Sequence, residues 1–221
     1  MNRAWPALVF RLAALAGAPG APSAEELDRV VAVVRSRAAD EPHVLTLSRV
    51  EEETRIALVG RGAALAATQP LDAAALRAGL DWLVDQTLLA EEAARLRVFD
   101  VDAEVSRAEL ERFRARFASP GAYRAFLARL DATEAEVEAV LRRTLRVASY
   151  VASRVSLAAQ VSEQDVTARL EQAEVGAVAG DRDAARARLA AERVRAETEV
   201  LLRELRARAE VRILALPAER S

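Results

Sequence analysis

Hydrophobic and polar residues follow two different periods along this chain, and the change between them is clearest near its end. Residues 181–209 carry apolar positions at helical spacing, with no glycine or proline among them. From Glu210 onward the period becomes two, with apolar and polar residues alternating through the segment EVRILAL. This change of period predicts a long helix that runs directly into a β-strand.

A lone strand leaves its backbone N–H and C=O groups without partners, so this one requires a second strand elsewhere. The best candidate is the valine-rich run Val30–Val34, almost the whole chain away. The sequence therefore predicts a small two-stranded sheet formed by the N-terminal and C-terminal strands. Residues 25–216 then form a single domain, in which an N-terminal part, 25–175, is closed by the returning segment 181–216. Deletion of everything after Gly180 is expected to unfold that domain.

Start signals divide the middle of the chain into helices. Candidate N-caps and capping boxes stand at Ser48 with Glu51, Asp72, Asp102, Ser119 before Pro120, Thr133 with Glu136, and Ser162 with Asp165. The helix after Asp72 has an apolar stripe of Leu76, Leu80, Leu83, Val84 and Leu88, and the helix after Thr133 has one of Val137, Leu141, Leu145, Ala148 and Ala152. Residues 35–43 read as a polar turn. About seven helices and two strands predict a mainly α fold.

Composition and charge exclude several functional classes. Aromatic residues make up only 4% of the chain, which favours a helical fold over a β-sandwich, and the net charge of -2 gives a nucleic-acid partner no electrostatic support. There is no cysteine, and His43, the single histidine, reads as a turn residue. Neither a phosphate-binding GxxxxGK[ST] loop nor a GxSxG nucleophile motif is present. The sequence therefore predicts no catalytic residue, no cofactor and no metal site.

The first 24 residues have the layout of a secretory signal peptide: a basic residue, an apolar run, then small residues and prolines. Arg11 interrupts the apolar run, and a disordered or amphipathic tail is the alternative. No other segment approaches the ~20 apolar residues of a membrane span. These features predict an exported, periplasmic protein without stable membrane insertion after signal cleavage. Residues 217–221 read as a short tail.

Aromatic residues are concentrated in one region of the chain. Phe113, Phe117, Tyr123 and Phe126 fall within fourteen residues, across the end of one predicted helix and the next helix. One interpretation is a local hydrophobic cluster that holds the two helices together. The other is a partly exposed apolar surface that binds extended or unfolded peptide. On the second interpretation these four residues, with Tyr150, are the predicted client-binding residues.

The order of elements resembles the N-terminal module of SurA-type periplasmic chaperones and related peptidyl-prolyl isomerase proteins. The match extends over about residues 27–214 and rests on element order and spaced hydrophobic residues, of which the pattern LxxLVDxxLL is the most specific. The matching segments are LDRVVAVV, VLTLSRVEEE, LRAGLDWLVDQTLLAEEAARLRV, DVDAEVSRAELERF, AYRAFLARLDATEAEVEAVLRRTLRVASYVASRV, VSEQDVTARLEQ and LLRELRARAEVRIL.

In that family one or more parvulin isomerase domains lie between the N-terminal module and the closing helix. Here the corresponding span, Gln172–Gly180, is nine residues long, far too short for such a domain. The resemblance therefore implies a chaperone core without the isomerase: an ATP-independent holdase whose partners are unfolded polypeptide clients, expected to be outer-membrane proteins, held in an apolar groove. Two alternatives stay open. One is a non-catalytic adaptor that binds one folded envelope partner, and the other is a divergent peptidyl-prolyl isomerase.

Overall fold

The computed structural model describes most of the domain predicted between residues 25 and 216. The described ranges are 28–37, 41–97, 99–157, 160–172 and 181–214. The predicted signal peptide, most of the short connection before residue 181 and the predicted C-terminal tail lie outside the described residues.

Seven α-helices and three short strands make up the described part of the chain. The strands are β1 (Val30–Arg35), β2 (His43–Thr46) and β3 (Glu210–Ile213). The helices are α1 (Leu47–Gly60), α2 (Ala73–Leu96), α3 (Ala103–Arg114), α4 (Pro120–Leu130), α5 (Glu134–Val155), α6 (Glu163–Gln172) and α7 (Asp181–Ala207), with a 3-10 turn at Ala64–Ala67. The predicted mainly α fold with a small sheet is confirmed. Among the described residues, no helix combines the length and the apolar character needed to cross a bilayer.

The two ends of the domain meet in an antiparallel sheet of order β2-β1-β3. β1 pairs with β3 so that Val33 lies opposite Arg212 and Val34 opposite Val211. The predicted pairing of the N-terminal and C-terminal strands is therefore confirmed. The prediction of only two strands is wrong, because β2 pairs with the other side of β1. Leu45 of β2 is fully buried, but four residues are too few to show an alternating pattern in the sequence.

The start of α1 also differs from the prediction. The helix begins at Leu47, directly after β2, and its N-cap Thr46 makes no side-chain cap hydrogen bond. The backbone N–H of Ser48 instead donates to Asp28 Oδ1 at 3.1 Å, and Glu51 accepts hydrogen bonds from Arg55. The capping box expected at Ser48 and Glu51 is therefore absent. β2 leads directly into the helix, and the backbone N–H and hydroxyl of Ser48 both donate to the Asp28 carboxylate.

The other predicted helix starts agree with the structure. Asp72 accepts from the Ala75 N–H at 2.7 Å at the start of α2, and Thr133 with Glu136 forms a complete capping box at the start of α5. α4 and α6 begin at the predicted serines, Ser119 and Ser162, whose side-chain oxygens accept from the backbone N–H three residues later. α3 follows Asp102, although this side chain makes no cap hydrogen bond.

The start of α6 makes stability depend on pH. The pKa of Asp165 is lowered to about 2, first by the hydrogen bond from the Ser162 hydroxyl and then by the Ser162 N–H and Arg193. Because the ordinary value is 3.8, the ionised carboxylate stabilises the folded state above that pH, and the stabilisation is lost as the pH falls towards 2. We expect the free energy of unfolding to fall across this window and to fall less steeply in Asp165→Asn.

An NMR titration of the Asp165 carboxyl carbon, together with urea unfolding between about pH 5 and pH 2, checks this expectation. Ser162→Ala is the companion variant, since it keeps the carboxylate but removes its strongest donor. Its Asp165 pKa is expected to move back towards the ordinary value. A wild-type titration midpoint at 3.8 would contradict the hydrogen-bonded geometry.

Two hydrophobic clusters fill the domain. The first lies between the sheet and α2, α5 and α7, and includes Val34, Leu83, Tyr150 and, from α7, Leu201 and Leu205. The second lies among α1, α3, α4 and α5 and includes Phe113, Tyr123 and Phe126, with Phe117 packed against it. α5 is long enough to contribute to both clusters, so it connects the sheet end of the domain to the aromatic end.

The apolar stripes predicted for α2 and α5 are confirmed to different extents. The stripe of α2 is confirmed at four positions that are at most 2% exposed, namely Leu80, Leu83, Val84 and Leu88. The prediction for α5 is only partly correct. Val137 and Leu141 are buried, but Ala148 is exposed and Tyr150 is buried in its place. The buried face of α5 shifts along its length because its N-terminal half packs in the second cluster and its C-terminal half in the first.

α1 and α2 are in tight contact at Gly79. A Cβ atom added there would overlap Thr54 Oγ1 and lie 2.9 Å from Thr54 Cγ2. Thr54 is 5% exposed and β-branched, so its side chain has little freedom to move away. We expect Gly79→Ala to destabilise the fold by about 1–2 kcal/mol, since the overlap outweighs the gain in helix propensity.

A double-mutant cycle with Thr54→Ala tests this close approach by chemical denaturation. In the Thr54→Ala background the two closest atoms are gone and only the Cβ contact at 3.0 Å remains, so Gly79→Ala is expected to cost clearly less there than in wild type. Equal destabilisation in both backgrounds would show that another contact requires the glycine.

Candidate functional site

The predicted client-binding aromatic residues lie mostly in the interior. Phe113, Tyr123, Phe126 and Tyr150 are at most 4% exposed. Phe113 contacts the ring of Phe126 with 5.9 Å between centroids, so the cluster joins the end of α3 to α4. The packing interpretation therefore holds for these residues, and the prediction of an exposed aromatic surface is corrected: burial in two cores removes four of the five side chains from contact with a client.

The five predicted residues also do not form one site. Tyr150 packs edge-on against Phe99, at 5.5 Å between ring centroids, in the cluster beneath the sheet. Phe117 is the half-buried member of the set, and it lines a separate cavity of about 270 Å³ between the 3-10 turn and α4. Burial and the nearby Glu134 carboxylate raise the pKa of Tyr123 to about 12, which keeps its phenol neutral.

A more extensive apolar opening, here called the interhelical groove, lies between α1, α2, α5 and α7. Its volume is about 440 Å³. Its wall residues are Ile56, Ala57, Gly60, Arg61, Trp82, Asp85, Gln86, Leu89, Glu109, Val140, Leu141, Thr144, Val147, Ala148, Val151, Thr198 and Leu202. This volume lies within the range of roughly 300–1,000 Å³ that is usual for ligand sites.

Helical spacing explains how the chain builds the groove. On α2 the wall residues recur every three or four positions from Trp82 to Leu89, beside the stripe that packs in the core. On α5 they recur in the same way from Val140 to Val151. The floor is formed by core residues such as Ile56, which is 1% exposed. The groove is therefore the place where the hydrophobic core reaches the surface between helices.

The charged side chains at the rim of the groove are paired within the protein. Asp85 accepts a hydrogen bond from Arg206 Nε at 2.6 Å, and Glu109 lies 2.8 Å from Arg112. The guanidinium of Arg61 lies over the ring of Trp82, 5.9 Å from its centroid, in a cation–π contact. The two carboxylates of the rim are therefore paired with arginines, whereas Arg61 keeps its positive charge beside the Trp82 ring.

The neutral polar groups of the groove differ from one another. The hydroxyls of Thr144 and Thr198 donate to carbonyl groups of their own helices, at 3.0 and 2.6 Å. Gln86 Oε1, in contrast, is buried and accepts no hydrogen bond from any described residue. Because solvent does not reach this oxygen, a molecule bound in the groove does not reach it either, and the surface that the groove offers to a ligand is mainly its apolar wall.

The described residues contain no group of three or more His, Cys, Asp or Glu side chains placed to hold a metal ion. His43 begins β2, and its Nε2 lies against the largely buried carboxylate of Glu91 on α2. This contact ties the sheet to α2. The sequence interpretation of His43 as a turn residue missed both the strand and the contact with Glu91.

Comparisons of the sequence with protein-family models and with curated proteins gave no match. The resemblance to SurA-type chaperones consequently depends on the segments and the order of elements given above. The groove itself was not predicted residue by residue. One sequence signal indicates the groove: Trp82, Asp85, Gln86 and Leu89 lie at helical spacing beside the main apolar stripe of α2.

Proposed function

We propose that this protein is an ATP-independent holdase chaperone of the cell envelope, with no enzymatic activity. It binds extended apolar segments of unfolded polypeptides, with unfolded outer-membrane proteins as the expected clients, in the interhelical groove. The observation that carries this proposal is the apolar groove itself, whose two rim carboxylates are already paired with arginines.

The chemistry of the groove supports weak, sequence-tolerant binding. Burial of one large apolar side chain contributes about 1.5–3 kcal/mol, so two or three client side chains offset part of the cost of ordering an extended segment. Apolar walls discriminate poorly between similar side chains.

Suppression of aggregation tests the proposed function directly. An outer-membrane β-barrel protein is diluted from denaturant with the full-length protein in several-fold excess and without nucleotide, and light scattering is followed. We expect the scattering to fall in proportion to the chaperone present. No suppression at this excess would refute the proposal.

A pair of arginine substitutions on α5 tests the groove as the binding site. Ala148 is exposed and lines the groove, whereas Ala152, one turn further along, is exposed but does not line it. Ala148→Arg is expected to weaken binding of a fluorescent apolar peptide by about tenfold, because a charged side chain enters the apolar cleft. Ala152→Arg is the matched control, with an expected affinity close to wild type. Equal affinities in all three proteins would place the binding site elsewhere.

Two further measurements separate the alternative functions. Affinity capture from envelope extract yields many unfolded proteins if the protein is a holdase, and one stoichiometric folded partner if it is an adaptor. A proline-limited refolding assay distinguishes a divergent isomerase, and we expect no acceleration above the uncatalysed rate.

A further inference from the structure

The cavity that Phe117 lines, here called the α4 cavity, differs chemically from the interhelical groove. Its volume is about 270 Å³, and among the described residues the two share no wall residue. Five of its wall residues are alanines, namely Ala64, Ala67, Ala118, Ala122 and Ala125. Because an alanine side chain ends at Cβ, these residues leave open space above Val59 and Phe126, which are 1% and 2% exposed. The α4 cavity is therefore an apolar gap between the end of α1, the 3-10 turn and α4.

The charged residues of the α4 cavity are both arginines. Arg116 and Arg129 line it, and no carboxylate is found among its described wall residues. Neither guanidinium forms an ion pair or a hydrogen bond within the described ranges of the chain. Arg114, in contrast, places its Nη1 2.9 Å from Glu111 Oε1. The α4 cavity thus combines an apolar floor with positive charge that these ranges do not compensate.

Helix ends give these arginines a second possible role. Arg129 lies in the last turn of α4, and the guanidinium of Arg116 lies beside Gly62, just past the end of α1. A positive charge near the C-terminus of a helix stabilises that helix. This role affects the stability of the fold but not the binding of a ligand, so the two roles predict different results when the charges are removed.

We propose that the α4 cavity binds a single-chain amphiphilic anion, namely a medium-chain carboxylate. Its chain lies on the alanine and phenylalanine wall, and its head group pairs with Arg116 and Arg129. A guanidinium presents a planar fork of N–H donors that matches a carboxylate, and removal of the chain from water favours binding.

The size of the cavity limits the length of the chain. A dry cavity of about 150 Å³ holds benzene. The 270 Å³ of the α4 cavity therefore suits a ligand of about ten non-hydrogen atoms, which is the size of octanoate. The inference does not rest on the proposed function, because it concerns a different cavity and a different class of ligand.

An NMR titration of the full-length protein with octanoate tests the proposal on wild type. With alanine methyl groups labelled, saturable shifts are expected for Ala122 and Ala125, which line the cavity. Ala128, which is exposed on α4 but does not line it, should keep its methyl signal. Octanol has the same chain without the charge and is expected to bind at least about tenfold more weakly. Acetate, which lacks the chain, should not saturate. Failure of octanoate to saturate these signals, or equal affinity for octanol, would overturn the proposal.

Removal of both positive charges tests the role of the arginines. The double variant of Arg116→Gln with Arg129→Gln is expected to bind octanoate at least about tenfold more weakly, while octanol binds with an affinity close to wild type. Arg124→Gln is the control, since Arg124 is exposed on α4 but does not line the cavity. A double variant that is less stable in urea but binds octanoate as wild type does would assign the arginines to the helix ends alone, and would refute the proposal.

Filling the cavity tests its location. Ala125→Leu is expected to weaken octanoate and octanol alike by about tenfold, because the larger side chain occupies the space of the ligand chain. Ala128→Leu, an equal change on the same helix outside the cavity, should bind both as wild type does. Equal octanoate affinities in the two variants would refute the proposal. If Ala125→Leu fails to fold, the methyl shifts of wild type decide.

A competition experiment separates this inference from the proposed function. The fluorescent apolar peptide used to test the interhelical groove is not expected to displace octanoate from the α4 cavity. Displacement would place octanoate in the groove and would refute the inference, while leaving the proposed function intact. Octanoate binding that persists when the protein fails to suppress aggregation would refute the proposed function alone.

Discussion

Deletion of residues 181–221 is expected to abolish cooperative folding of the whole domain, including the helices that remain. The deletion removes β3, which pairs with β1 along its length. It also removes Leu201 and Leu205, which are 6% and 7% exposed in the cluster beneath the sheet, and the Arg206 partner of Asp85. Loss of two core leucines alone costs more than the roughly 5 kcal/mol at the lower end of domain stability.

Circular dichroism and thermal unfolding of the truncated protein measure this effect. The single substitution Leu205→Ala in the full-length protein is a milder change, with an expected loss of about 2–5 kcal/mol in the free energy of unfolding. Val200→Ala, on the same helix but 38% exposed, is the matched control and should change stability by no more than about 0.5 kcal/mol. A truncated protein that keeps its helicity and a cooperative melt would show that residues 28–172 fold independently of α7 and β3.

Arg55→Met is expected to destabilise the fold by about 2–5 kcal/mol, because two carbonyl groups lose their donor. Arg55 is 2% exposed and projects from α1 into the turn that leads to α2. Its Nη1 donates to the carbonyls of Ala66 and Gln69, both at 2.7 Å. Its Nη2 donates to Glu51 Oε1 at 2.7 Å. Methionine fills the space but leaves both carbonyls and the carboxylate without these donors.

Urea unfolding measures the loss, and Arg95→Met provides the control. Arg95 also pairs with a glutamate one turn away, Glu92, at 2.7 Å, but its side chain is 54% exposed. Exposed pairs of this kind contribute about 0–1 kcal/mol. Arg55→Lys should lose much of the stability as well, since one ammonium cannot reproduce the fork of the guanidinium. Similar losses for Arg55→Met and Arg95→Met would contradict the buried role of Arg55.

The fold could be predicted from the sequence where the signal lies within a few neighbouring residues, or where a strand has only one possible partner. The cap at Asp72 and the capping box at Thr133 depend on residues three positions apart, so they can be read directly. The pairing of β1 with β3 is long-range, yet it was predictable because the EVRILAL strand required a partner and the valine run offered one. β2 was missed because its four residues follow Pro42 and resemble a turn.

The candidate site was harder to predict, because it is a gap between helices and not a set of conspicuous residues. The aromatic residues from Phe113 to Phe126 were predicted to bind a client because aromatic side chains are common in binding surfaces. Large apolar side chains are, however, more often buried than exposed. Ala148, in contrast, looked like part of a core stripe and instead lines the groove. Which side of α5 stays open depends on how α1, α2 and α7 are placed around it, and no local pattern in the sequence encodes that placement.

The pairing of the first strand with the last also constrains when this protein can fold. During synthesis β1 emerges before the described helices, and β3 emerges only after the last of them. Contacts so distant in sequence form slowly, because the entropy of closing the loop is lost before the pairing stabilises it. Until that moment the buried residues Val31, Ala32 and Val34 lie in a strand without its full sheet. We therefore expect nascent chains that end before residue 210 to be sensitive to protease throughout, and protection to appear in a single late step.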